Sequence, residues 1–474
     1  MPDPDFGKIT DAKVAELRRR VGIDLDPGNF LPVDPGVAAS WRPEFFGFNH
    51  EVTADGVRHF VNGYGDDNPL YCDEEYAEAT RWKGLVAPPT FLWTMFTPPD
   101  DIRLGGGDEP PRRLRPEIAA GMEGDPIRGT GALQSDLQYE FYRPLRLGDR
   151  FFAKRAMIGV ADKRSSWAGR AVHATWGVVS WNQHKEIHHL QRGTWIRAER
   201  KPVDQQTERT ETGEPGAETG GEQGGGTGEQ GGGTGGGTAT RAVQPAPEPY
   251  TDEQLADIDA AYDAERRRGG EPLFWEDVQE GAELPAMVKG PLRITDVILW
   301  HAGFGQAFPT HAFGLARRTR RESPGLYTKN TMNVWDIVQR MHWDPDWAHR
   351  VGAAACYDYG ALRETFIAQA LGNWAGDDSW LWKLDVQHRR FNYVGDTTWV
   401  RGRVVGKDRR GPHRQVSLEV WCENQRGEVT SPGTAVVLLP SREDGGPHLP
   451  EPPATDPLDV LRGEVERLAQ MKDE

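Results

Sequence analysis

The chain has 474 residues, 37% of them hydrophobic, with a formal net charge of −16 at pH 7 and a pI near 5.4. That length exceeds one ordinary core and suits two domains of about 150–200 residues, while the acidic balance excludes nucleic acid or an anionic membrane as the main partner. Cys72, Cys356 and Cys422 are far apart and form no CxxC pair, so neither a zinc site nor a disulfide framework is expected, and a reducing compartment fits.

The first residues (MPDPDFGKITDAKV) carry no charged-then-apolar pattern, and no apolar run reaches about 18 residues. A cytoplasmic location is the expectation. The first informative stretch is Gly65-Asp66-Asp67-Asn68-Pro69-Leu70-Tyr71-Cys72-Asp73, whose Asp, Asn and Pro also suit a plain turn with Asp73 capping the next helix. Pro88-Pro89 then precedes Phe91-Leu92-Trp93-Thr94-Met95-Phe96, which Pro98-Pro99 stops. Proline suits a first helical turn, and a run apolar on nearly every side predicts a helix wrapped by sheet.

Period-two strands follow, with Val172, Ala174, Trp176 and Val178 on one face. His184, His188 and His189 lie in a strand-turn region without an acidic partner in the motif, so no metal site is expected there. From about Glu199 to Glu248 the chain is almost all Gly, Thr, Glu and Gln. Such a segment has nothing to bury in return for ordering, and predicts a flexible coil.

In the second half, Thr251 to Arg268 predicts a helix with an N-cap threonine and acids in its first turn. The basic run Arg317-Arg318-Thr319-Arg320-Arg321 suits a solvated helix face, and Arg143, Arg146, Arg389 and Arg390 flank turns where they could meet phosphate. After Tyr357-Asp358-Tyr359-Gly360, Leu362, Phe366, Ala370, Leu371 and Trp374 recur at helical spacing. Val416, Leu418, Val420 and Cys422 then alternate as a strand, and a surface helix is expected near Asp456 to Met471.

The two halves repeat each other. Gly65-Asp66 with Pro69 matches Gly305-Gln306 with Pro309 at an offset of 240, Gly148-Asp149 matches Gly395-Asp396 at 247, Asn182-Gln183 with Glu186 matches Asn424-Gln425 with Glu428 at 242, and Gly193-Thr194 matches Gly433-Thr434 at 240. Matches in one order at a nearly constant offset indicate an internal duplication. Helix first and antiparallel strands afterwards give an α+β fold, not a βαβ alternation. The expected bounds are 1–198 for the first domain, 199–249 for the linker, 250–445 for the second domain and 446–474 for a tail helix.

GDDNPLYCD resembles the signature loop of the hydratase 2 and MaoC-like dehydratases, Gly-Asp-x-Asn-Pro-(apolar)-His-x-Asp, and ATRWKGLVAPPTFL resembles the lead into that family's central helix. NVWDIVQRMHWDPDWAHRVG, YDYGALRE, NWAGDD and RRFNYVGDTTW resemble two-domain actinobacterial acyl dehydratases. The resemblance implies two hotdog domains, each an antiparallel sheet wrapped around a long helix, paired within one chain. It implies water added to or removed from an acyl thioester, with coenzyme A or phosphopantetheine as part of the substrate and no separate cofactor or metal. A homodimer, or pairing with another hotdog chain, follows as the expected assembly.

The family's catalytic aspartate falls on Asp66, but its histidine falls on Tyr71; in the second half the same positions hold Gln306 and His311. Asp66, His311, Tyr71 and Asp358 are therefore the catalytic candidates, and Asn68, Gln306, Tyr359 and Gly360 the substrate-binding ones. Backbone N–H groups at Gly360 or near Pro89 would polarise the thioester carbonyl. Three readings stand: a dehydratase with recruited groups (Asp358 or His342 beside His311, the Tyr71 phenol beside Asp66), a non-catalytic acyl-thioester-binding partner subunit, and a hotdog thioesterase. One open tunnel is expected, the other being plugged by aromatic side chains such as Trp82 or Trp374.

Overall fold

The computed structural model describes residues 5–22, 49–95, 125–127, 129–165, 169–199, 245–304, 312–322 and 324–470. The segment expected as a linker lies outside the described residues from 200 to 244.

One antiparallel sheet organises the chain. The first half contributes β1 (Gly131–Phe141), β2 (Phe152–Ser165), β3 (Gly169–Trp181) and β4 (Ile187–Ala198). The second contributes β5 (Met287–Lys289), β8 (Trp380–Gln387), β9 (Thr398–Arg410), β10 (His413–Asn424) and β11 (Val429–Leu438), with β6 (Tyr327–Lys329) and β7 (Trp335–Ile337) pairing apart. The nine strands run in the order β2-β3-β4-β1-β8-β11-β10-β9-β5. Each half therefore repeats one strand order. The halves join edge to edge where Leu137 of β1 lies opposite Val386 of β8. Joining them leaves neither inner edge exposed.

The repeated turns coincide atom for atom. Asn182 Oδ1 accepts from the amides of His184 and Glu186 at 3.0 and 3.1 Å. Asn424 Oδ1 accepts from Arg426 and Glu428 at the same two distances. Asp149 Oδ2 accepts the Arg146 amide at 2.8 Å, as Asp396 Oδ2 accepts that of Tyr393.

Helix α1 (Asp11–Arg19) lies against β2. Helices α2 (Ala54–Tyr64) and α4 (Ile294–Phe304) cross at two glycines, and α3 (Asp252–Ala264) lies between them in the chain. A Cβ on Gly63 would sit 3.4 Å from Gly303 Cα, and one on Gly303 only 2.7 Å from His59 O. Around this crossing Phe60, Tyr64 and Trp300 pack with ring centroids 5.2–6.4 Å apart. Helix α3 opens with the expected Thr251 cap, reinforced by Gln254 as a capping box. It ends at Ala264, because Glu265 turns to an extended conformation and its carboxylate accepts the Val288 amide at 2.7 Å.

Helix α5 (Gly360–Ala375) is the expected central helix of the second half, buried on nearly all sides. Its first-half counterpart departs from expectation. Pro89–Thr94 forms a six-residue 3₁₀ helix that ends at Met95, where the chain turns extended and bridges to Asn49. The tail helix α6 (Pro457–Gln470) docks on β2 and β3 instead of standing on the surface. It buries Val460 and Leu461, and Glu464 Oε2 accepts from Arg192 Nε at 2.5 Å.

Candidate functional site

The loop after α2 is built by its own side chains. Gly65 adopts φ +69°, a left-handed conformation glycine tolerates, and ends the helix. Asp66 Oδ1 accepts the Asn68 amide and its Oδ2 the Tyr64 hydroxyl, both at 3.0 Å. Asn68 Oδ1 caps the Leu70 amide at 3.0 Å, Pro69 takes the first turn, and Asn68 Nδ2 reaches Asp377 Oδ1 at 3.3 Å in the second half. The loop thus sits at the junction of the two hotdog units.

Asp66 is 8% exposed. Burial pushes its carboxyl up, and the Lys289 ammonium acts in the opposite sense. Tyr71, where the resemblance expects an imidazole, has its phenol pushed up by burial and then by the carboxylates of Asp66 and Asp377. It remains protonated at neutral pH and cannot serve as a base there.

Beside this loop lies a cavity of about 80 Å³, lined among others by Asn68, Tyr71, Leu92, Arg143, His188 and Asp377. Trp82 and Trp380, with centroids 5.7 Å apart, form part of its wall. Asp66 is not on the cavity surface; it supports the residues that are.

The equivalent position in the second half carries different side chains. Ala87 N donates to Leu145 O and Asp358 N to Asn392 O, each at 2.9 Å, while Tyr142 N and Arg389 N donate to His188 O and Thr430 O. These bonds place Asp358 where the first half has Ala87, Asn392 where it has Leu145, and Thr430 where it has His188. By the same offset Arg363 stands for Leu92. Arg363 Nε lies 3.1 Å from Asp358 Oδ2, Asn392 Nδ2 donates to that oxygen at 3.1 Å, and Arg363 Nη1 donates to Ser431 Oγ at 2.8 Å. An ion pair stands at that place, and Trp82, expected as a plug, lines the described cavity.

Asp358 is therefore committed to Arg363. Burial still raises its carboxyl to about 6. Tyr359 places its hydroxyl 3.0 Å from His301 Nδ1 and stacks on His342 at 3.8 Å between centroids. Burial lowers His342 to about 4, so that imidazole is neutral. Gly360 has no room for a side chain, since a Cβ would meet His388 Nε2 at 2.8 Å. Gln306 and His311 lie outside the described residues. From Gly360 to Gln369, whose amide reaches Gly65 O at 3.4 Å, the helix rises about 13 Å. The two candidate groups are separate.

Sequence reasoning missed one buried network. Tyr139 Oη donates to Glu364 Oε2 at 2.6 Å, and His388 Nε2 lies 2.9 Å from Glu364 Oε1. The available signal was Glu364 itself, a carboxylate one turn into an apolar helix, which demands a buried partner. Among the described residues no group of three or more His, Cys, Asp or Glu side chains could hold a metal. No described helix is long and apolar enough to cross a membrane. Of the candidate phosphate ligands, Arg143 lies 3.4 Å from Glu451 and Arg146 donates to Trp82 O.

Residues 43–186 match the model of the FAS1-like dehydratase domain region. The match lies within the first half and includes the Gly65–Asp73 loop. A probable enoyl-CoA hydratase alpha subunit of Thermomonospora curvata is 28% identical over 160 residues, 32% of this chain and 47% of the relative. A UPF0336 protein of Streptomyces avermitilis is 28% identical over 104 residues, 21% of this chain and 57% of the relative. The chain thus spans about half the length of these curated relatives. A solved MaoC-like dehydratase shares the fold at a TM-score of 0.51 and 16% identity, covering 89% of this chain and 99% of its own. The resemblance read from the Gly65–Asp73 loop holds, and the α+β double-hotdog fold with it.

Proposed function

We propose that this chain acts on acyl thioesters by adding water to a 2-enoyl group or removing it from a 3-hydroxyacyl group, with the acyl end in the first-half cavity. One observation carries the reading. The signature-loop residues Asn68 and Tyr71 line a cavity, whereas the positions equivalent to Ala87 and Leu92 on its wall are held in the second half by the ion pair of Asp358 and Arg363. The cavity is far smaller than the several hundred Å³ of drug-sized sites, which fits a short acyl group. Asp66 fixes the loop, Tyr71 offers a phenolic proton, and Thr90, the first residue after Pro88-Pro89 with an N–H, begins the turn facing the carbonyl. Coenzyme A or phosphopantetheine enters as part of the substrate.

A second reading, binding without turnover as a partner of another hotdog chain, is favoured by Tyr71 in place of an imidazole. One relative is named an alpha subunit, and this reading extends that assembly to the present chain. The test is incubation with short-chain 2-enoyl-coenzyme A, following loss of the conjugated enoyl absorbance and release of free thiol in parallel. Absorbance loss without thiol supports the hydro-lyase reading. Thiol release supports a thioesterase. Binding with neither supports the partner reading.

A further inference from the structure

The loop lacks its imidazole, yet an imidazole stands on the same cavity. His188, on β4, lines the space with Asn68 and Tyr71 and is 3% exposed. Among the described residues neither ring nitrogen makes a side-chain hydrogen bond, and the Arg143 backbone is a close polar neighbour. Its nearest charged neighbour is Asp149, with Oδ2 at 3.7 Å from Nε2. Other titratable groups around it are Arg143, Glu186 and His189. A buried imidazole with no side-chain hydrogen bond keeps bonding capacity that a molecule in the cavity can use. The second half offers a comparison, because there the same strand position holds Thr430, beside the ion pair of Asp358 and Arg363. The histidine thus stands on the described cavity, and the equivalent strand position of the other half carries none.

We propose that His188 is the acid–base residue of the first-half site, oriented by Asp149, taking the place of the histidine that Tyr71 replaced. This rests on the reading of the cavity as an acyl-thioester site. In hydration, neutral His188 takes a proton from a water whose oxygen bonds to the β-carbon of the enoyl group. The Cα=Cβ electron pair moves toward the α-carbon and the thioester oxygen. The imidazolium then returns the proton to the α-carbon, so one water is added and the side chain is unchanged. Dehydration is the reverse. Burial lowers the imidazole from its ordinary value, with Asp149 acting in the opposite sense, so the ring is unprotonated at pH 7 and free to accept a proton.

The test is His188→Thr, which installs the residue the other half carries at this strand position, with His188→Gln as a second variant should threonine unfold the chain. Turnover of 2-enoyl-coenzyme A is measured from pH 4 to 9. The wild type is expected to lose kcat/KM on the acid side, as the imidazole protonates. Either variant is expected to lose kcat at least about 100-fold with little change in KM, and to lose that acid limb. A folded variant with kcat within about threefold of wild type, or with the acid limb intact, overturns the role of His188. A wild type that binds the thioester but turns over none overturns the hydro-lyase reading itself, so the two failures are distinguishable.

Discussion

Arg363 Nε lies 3.1 Å from Asp358 Oδ2, inside the second hotdog unit, at the place where the first unit has Leu92 and Ala87. An ion pair and an apolar pair therefore occupy equivalent positions in two copies of one fold. Breaking a buried pair strands a charge, whereas replacing both members by apolar groups is close to neutral. Asp358→Ala alone is expected to destabilise the chain by about 3–5 kcal/mol, measured by denaturant unfolding. The double change Asp358→Ala with Arg363→Leu, which copies the first half, is expected to cost clearly less than the single one.

The crossing of α2 and α4 depends on backbone contact. Gly303→Ala places a methyl group 2.7 Å from His59 O and 3.3 Å from Gly63 Cα. The helices must separate to admit it. A loss of about 1–3 kcal/mol is expected, read as a lower denaturant midpoint.

The Tyr139–Glu364–His388 network ties β1 of one half to α5 of the other. Tyr139→Phe keeps the ring and removes the donor from a fully buried carboxylate. A loss of about 1.5–3 kcal/mol is expected, and adding Glu364→Gln to the Tyr139→Phe variant should recover part of it.

Asp385, at the seam between β1 and β8, has its carboxyl raised to about 6, by burial first and then by the neighbouring charge of Asp136. A carboxyl raised in the folded state binds its proton more tightly there than in the unfolded chain. Its favourable contribution is complete below about pH 4, fades as pH rises to 6, and is absent above. Asp385→Asn is therefore expected to raise stability at pH 8 by about 1 kcal/mol, after allowance for solvent screening. At pH 4 the effect should be near zero. Melting curves at the two pH values check the sign.

Much of this was legible in the sequence. Asn182 and Asn424, 242 residues apart, make the same turn with the same bonds, because an Asx turn is set by local side-chain chemistry. Thr251 caps its helix for the same reason. What depended on distant partners was not legible. Asp358 read as a carboxylate poised at a helix start, but Arg363 one turn on, with Asn392 from the loop after β8, holds it. Tyr139 and Glu364 are 225 residues apart, and no spacing rule links them. The apolar run at Phe91 read as a long helix, yet the prolines at 88 and 89 lead only into a short 3₁₀ turn.

The cavity beside the Gly65–Asp73 loop, walled by both halves, is the proposed seat of the acyl group. Gly372 lines that cavity on α5, and a Cβ there meets nothing within 4 Å. Gly372→Leu should fill the space without a clash and favour the helix by about 1 kcal/mol. Calorimetric titration with S-butyl-coenzyme A, an unreactive thioether, gives the decisive number. The account predicts at least tenfold weaker binding in the variant with an unchanged or higher Tm. Binding within a factor of two of the wild type would contradict it.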